Sequence, residues 1–223
     1  MKRRRPVAEI DVIAWLASVV ARRRGTLAAA RLPAGQHVMP VEVQRHLFTV
    51  REFHQMAQGG VFGEDDRVEL LGGEILEMTP IGSRHAGCVN YLTHTLAAQL
   101  GSSVIVSVQN PLTLDDSSEP QPDVLILRPR ADFYRGGHPT PADVRLVIEV
   151  ADTSEDFDRR AKLPRYAQAG IPEAWLIVLS RDAVDLYTDP SPDGYRAHRR
   201  FGSGELVTSR QFPALKVAVS ELV

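Results

Sequence analysis

The chain has 223 residues with a formal net charge of −2, and 43% of them are hydrophobic against 24% charged. That is an ordinary globular composition, long enough to bury one substantial core, and a pI of about 6.4 excludes a uniformly basic coat, so any nucleic-acid-binding surface must be local. The single cysteine, Cys88, excludes an internal disulfide framework and a cysteine-built zinc site, and reads as a small buried apolar residue in a chain expected in the reducing cytoplasm.

The chain starts "MKRRRPVAEIDVIAWLASVVARRRG". The apolar run from Val12 to Ala21 follows two acids, Glu9 and Asp11, and is closed by Arg22, Arg23 and Arg24 without a small-residue cleavage site. That pattern argues against a secretory leader, and the run is too short for a membrane span. A short amphipathic helix with basic ends, able to touch a partner, fits better. Residues 1–38 therefore read as an extension that ends in a flexible stretch, and residues 39–223 as the folded domain.

In "FTVREFHQMAQ", Thr49 precedes Val50, Phe53 and Met56, with Glu52 three residues on: a capping-box start to a short helix. "RVELLGGEILEMT" places two apolar runs around Gly72-Gly73, a hairpin signal. In the next segment Ala86, Val89, Leu92, Leu96 and Leu100 recur at helical spacing, and Gly101 stops the helix. "SVIVSVQNPLTL" reads as a strand running into a loop, and a second strand is entered at Asp123. Residues 128–143 are rich in Pro, Gly and Arg and read as a surface loop. Strand 145–150, helix 155–169 and strand 173–179 then form a strand–helix–strand crossover. A hairpin and short strands complete the chain. The whole is an α/β (α+β) pattern: a mixed β-sheet flanked by helices. Pro164 conflicts with a smooth helix, so the helix is expected either to restart there or to kink.

Two acids and one lysine stand out. Asp123 begins its strand and Glu149 lies near the end of "LVIEV", an otherwise apolar run. If those strands are antiparallel neighbours, the start of one lies beside the end of the other. The two carboxylates then meet at one sheet edge, where Mg²⁺ (or Mn²⁺) could take both, with the Val150 backbone carbonyl as a third protein ligand. A carboxylate inside an apolar strand needs a cation or a metal. Lys162 is one of only three lysines in a chain that otherwise uses arginine. A compact ammonium can point at one oxygen or exchange a proton, which a guanidinium cannot. Its bland alternative is an ion pair with Asp158, one helical turn earlier.

Pro122-Asp123, "LVIEV" ending in Glu149, the run "S…DR…K…YA.AGIPE.W" and the earlier "VELLGGEI…H" together resemble the Uma-two family, within the restriction-endonuclease-like PD-(D/E)XK superfamily. The resemblance spans about residues 47–222. It implies a restriction-endonuclease-like fold and a metal-dependent endonuclease acting on DNA, with Asp123 and Glu149 as the paired acids. The superfamily lysine would stand two residues after Glu149, where this chain has Ala151; Lys162 resembles a lysine that has migrated to the following helix. Glu69 resembles an additional family acid able to reach the same metal, and His85 a recurrent histidine that would orient Glu69 or touch substrate. Arg128, Arg130, Arg135, Arg159, Arg160 and Arg165 are the arginines available to hold the DNA backbone. A homodimer is the expectation if two strands are to be cut. The rival reading is a non-cleaving nucleic-acid- or partner-binding module on the same fold, favoured by the near-neutral charge and by Ala151.

Overall fold

The computed structural model describes residues 45–63 and 65–223; the expected N-terminal amphipathic segment and the domain start at residue 39 lie outside these residues. Helix α1 (Val50–Gln58) begins at the expected capping box, with the Thr49 hydroxyl accepting from the Glu52 N–H and the Glu52 carboxylate accepting from the Thr49 N–H. Strands β1 (Val68–Leu71) and β2 (Glu74–Glu77) form the antiparallel hairpin, turned by Gly72 and Gly73 at positive φ. Helix α2 (Ser83–Leu100) ends at Gly101, also at positive φ, and buries Cys88, Val89, Leu92 and Leu96. The Cys88 thiol is pushed up to about 12 by burial, so it is a packing residue.

Six strands make the main sheet: β3 (Ile105–Val108), β4 (Val124–Leu127), β5 (Val144–Ala151), β6 (Glu173–Val178), β7 (Ala183–Ser191) and β8 (Gly194–Gly202), in that spatial order. All neighbours are antiparallel except β5 and β6, which are joined by the crossover and run parallel. The crossover contains α3 (Glu155–Phe157), a π-helical turn at Asp158–Lys162 and α4 (Leu163–Gln168). Pro164 sits just after the π-helical turn, in the first turn of α4, with the backbone helical at Lys162 and Leu163 before it. A final pair, β9 (Leu206–Thr208) and β10 (Lys216–Ala218), closes the chain.

Alternation along the strands divides the core into two layers. Ile126, Leu146, Ile148, Val150, Trp175 and Ile177 pack with α2 and the β9–β10 pair. Leu125, Leu127, Val147, Ala151, Leu176 and Val178 pack with Leu163 and Tyr166 of α4. Glu149 has the parity of the second layer, so it looks toward the crossover. Glu173 is fully buried yet satisfied: it accepts from Trp175 Nε1 at 2.7 Å and from the Arg210 and Gln211 N–H groups at 2.8 and 2.9 Å, tying the last segment to β6.

Candidate active site

The register of β4 and β5 builds the site. Val124 pairs with Ile148, so Asp123 and Glu149 are the next residues past the last rung. Two hydrogen bonds continue the pairing through side chains. The Val150 N–H donates to Asp123 Oδ2 at 2.8 Å, and the Asp123 N–H to Glu149 Oε2 at 3.4 Å. In an extended strand one residue's N–H and C=O leave on the same side. The Val150 carbonyl is therefore turned the same way as its N–H, toward Asp123 and beyond the end of β4.

The hairpin brings a third acid. Backbone bonds between Leu70 and Glu119 lay β1 along the segment that leads into Asp123. Glu69 thereby accepts from the Gln121 N–H at 3.0 Å. The crossover brings the lysine. Lys162 Nζ lies 3.2 Å from Glu69 Oε2 and 3.5 Å from Glu149 Oε1, with all three side chains buried. Its partners are these two acids; Asp158 is instead bonded by the Ser154 hydroxyl at 2.6 Å. Tyr166, also buried, donates its hydroxyl to Glu149 Oε1 at 2.5 Å. His85, at the start of α2, places Nε2 3.1 Å from Asp123 Oδ1, so it attends Asp123 and not Glu69. Gln109 Nε2 reaches the same Asp123 oxygen at 3.2 Å.

The electrostatics are unbalanced. Glu69, Asp123, Glu149 and Asp158 are buried carboxyls, and Lys162 is the buried ammonium set against them. Burial pushes the Glu149 carboxyl up to about 8, against the pull of Lys162, and raises Asp158 against the same pull. Burial alone would also raise Asp123, but the hydrogen bond and charge of His85 and the Val150 N–H leave it below the usual range. The His85 imidazole is raised in turn, first by that hydrogen bond. Burial would lower Lys162, but Glu149, Glu69 and Asp158 outweigh it and hold the ammonium above its ordinary value. A buried excess of negative charge calls for a cation. Among the described residues no three His, Cys, Asp or Glu side chains converge as a ready ligand set. The donors that could hold a cation are Asp123, Glu149 and the Val150 carbonyl, a set that Mg²⁺ would have to complete with water or other oxygens.

These groups line a cleft of about 510 Å³, bordered by the 78–82 segment after β2 and the 152–158 segment after β5. The arginines singled out from the sequence are not among its lining residues. Arg128 donates to the Ala142 carbonyl and Arg130 to Asp132. Arg159 is held by Asp185 at 2.6 Å and by Glu155 at 3.0 Å. Arg165 donates to the Ala161 carbonyl and lies against the Gly72 turn. Arg160 and Arg135 are exposed. Arg67 does line the cleft; it precedes the hairpin with no motif around it, so the sequence carries no signal for it. Tyr166 carried a usable signal: it stands four residues after Lys162, on the same helical face. Gln109 carried none.

A family model described as "Uma2: Putative restriction endonuclease" matches residues 50–220. The chain belongs to the Uma2 family. The fold agrees with a solved structure titled as a putative nuclease belonging to DUF820 from Anabaena variabilis. The TM-score is 0.61 at 15% identity, over 78% of this chain and 97% of that one. At that identity the likeness shows the fold. No curated protein matches the chain. The expected mixed sheet flanked by helices is thus present, as is membership of the Uma2 family, which groups nuclease-like chains. Among the described residues no helix is long and apolar enough to cross a membrane.

Proposed function

We propose that this Uma2 chain is a metal-dependent endonuclease of the PD-(D/E)XK type that hydrolyses phosphodiester bonds in DNA in the cytoplasm. One observation carries the reading: the β4–β5 register sets Asp123 and Glu149 side by side just past the sheet's last rung, with Lys162 Nζ 3.5 Å from Glu149. Asp123, Glu149 and the Val150 carbonyl would hold Mg²⁺ or Mn²⁺, which when bound lowers the pKa of a water and offsets charge on the scissile phosphate. Glu69 keeps Lys162 aimed at the cleft. Lys162 donates hydrogen bonds to the attacking water or to the phosphoryl oxygens, where charge develops. Tyr166 and the Asp123 N–H fix the Glu149 carboxylate, while His85 and Gln109 fix Asp123. Ala151, at the superfamily's usual lysine position, shares the Glu149 face of β5 but is fully buried; Lys162 supplies the ammonium from the crossover.

A second reading has its own support. Lys162 is committed to two acids, Glu69 and Glu149, at 3.2 and 3.5 Å, an arrangement that a binding module that cleaves nothing could also keep. The test is cleavage of circular, linear and single-stranded DNA in Mg²⁺ and Mn²⁺, beside Asp123→Ala, Glu149→Ala and Lys162→Ala. Metal-dependent cutting that disappears in all three supports the nuclease. Cutting that survives in the variants, or proceeds in chelator, refutes the assigned site. Binding of DNA without cutting under any metal establishes the second reading.

A further inference from the structure

The cleft is acidic at its floor but apolar at its mouth. Met78, Pro80 and Ile81 line it on one border and Phe157 on the other. Ile81 and Phe157 are each 39% exposed, among the few large hydrophobic side chains that the described residues leave open to water. Phe157 is the residue just before Asp158, which is 4% exposed. The chain at that point therefore buries its acid and presents its ring. Among the described residues, Arg67 and Lys162 are the only arginine and lysine lining the cleft, and Lys162 is bound to Glu69 and Glu149.

That distribution is poorly suited to the backbone of a duplex. A protein that tracks a double helix neutralises phosphates with several lysines or arginines, and this mouth offers Arg67. A duplex also hides the faces of its bases, so apolar walls gain nothing from it. An unpaired strand presents those faces, and base–aromatic stacking is the interaction by which single strands are held without reading sequence. A volume of about 510 Å³ is in the range of a small-ligand cleft, not of a groove as wide as a duplex. A phosphate at the floor, facing Asp123 and Glu149, leaves its own base to fall against a wall.

We infer that Phe157 and Ile81 form an apolar jaw that takes an unstacked base beside the scissile phosphate, so that the substrate is a single strand or a locally unpaired segment of DNA. The inference rests on the nuclease reading of the floor. A site that cuts one unpaired strand also requires no second copy of the chain beside it.

The test is fluorescence anisotropy of the full chain with a labelled single-stranded oligonucleotide and with the corresponding blunt duplex. Ca²⁺ replaces Mg²⁺, and Phe157→Ala, Phe157→Trp and Ile81→Ala are measured in parallel. The expected result is tighter binding of the single strand, weakened roughly fivefold to a hundredfold by Phe157→Ala, weakened less by Ile81→Ala, and restored by Phe157→Trp. Because Phe157 is at the surface, its variants fold, which melting curves confirm. Equal or tighter binding of the duplex, or no change in Phe157→Ala, overturns the jaw and leaves the nuclease reading standing. Failure of the wild-type chain to bind either DNA overturns the nuclease reading itself.

Discussion

Lys162→Met is the sharpest probe of the site because methionine keeps much of the stem and removes only the charge. The ammonium is 3.2 Å from Glu69 and 3.5 Å from Glu149, and all three side chains are 7% exposed or less. Removing one partner of a buried ion pair costs about 3–5 kcal/mol, because an unpaired charge is left in the interior. The loss must depend on pH. Glu149 already titrates at about 8 with Lys162 present, and without it the value rises further. A folded-state pKa above the unfolded one means that stability is intact at low pH and is lost as pH rises through the folded value. At pH 5 Glu149 holds its proton with or without the lysine, and the variant loses only the Glu69 interaction, about 1–2 kcal/mol. At pH 9 the wild-type carboxylate is charged and paired, while the variant's carboxyl, raised further, still holds its proton; one pH step above the wild-type value of about 8 adds at most about 1.4 kcal/mol, so the deficit grows to about 2.5–3.5 kcal/mol. For a chain of this size that is a fall in Tm of roughly 5–14 °C. Thermal unfolding of both proteins at pH 5 and pH 9, in chelator, measures it. A deficit below about 1 kcal/mol at pH 9, or one as large at pH 5 as at pH 9, refutes the buried ion triad.

Glu173→Ala should lower stability by about 3 kcal/mol or more, since it orphans Trp175 Nε1 and the Arg210 and Gln211 N–H groups; urea midpoints read the change, and a loss under about 1 kcal/mol counts against the clasp. Asp185 is buried against Arg159, Arg200 and His198. Burial would raise its carboxyl, but those hydrogen bonds hold it well below the carboxylate range. Its contribution is present above the unfolded value of about 3.9 and is lost as pH falls toward the depressed one. Asp185→Asn should therefore flatten the acid limb of a stability–pH curve below about pH 4, and an unchanged limb would show that another group sets it. Gly73→Ala meets both a positive φ of 79° and a Cβ 2.6 Å from Leu47 Cβ, whereas Gly60→Ala, at φ 74°, meets open space. The first should lose clearly more than the second in a melting comparison, and equal losses would mean that strain alone matters at the hairpin.

The pairing of Asp123 with Glu149 was legible because strand register is a short-range rule: once β4 and β5 are antiparallel, the residue before one and the acid near the end of the other must meet. The partner of Lys162 was not. A regular helix would stack Lys162 over Asp158, one turn earlier. Here the Leu163 N–H bonds to the Asp158 carbonyl, five residues back, because the turn is π-helical. The wider turn shifts Lys162 out of the Asp158 row and carries it over Glu69 and Glu149. Pro164 made a break legible, but not its kind. The surroundings of the arginines were not legible for a related reason: composition shows how many there are, whereas placement depends on tertiary partners such as Asp185, which is 26 residues from Arg159 in sequence. The same geometry accounts for Ala151. It shares the Glu149 face of β5 but is packed in the apolar layer with Leu163 and Tyr166, where a lysine would have to displace the crossover. With α4 packed so closely on β5, the ammonium can reach Glu149 only from the turn that precedes α4. A lysine on the π-helical turn lets the chain keep both a tight core and a cation at the acids.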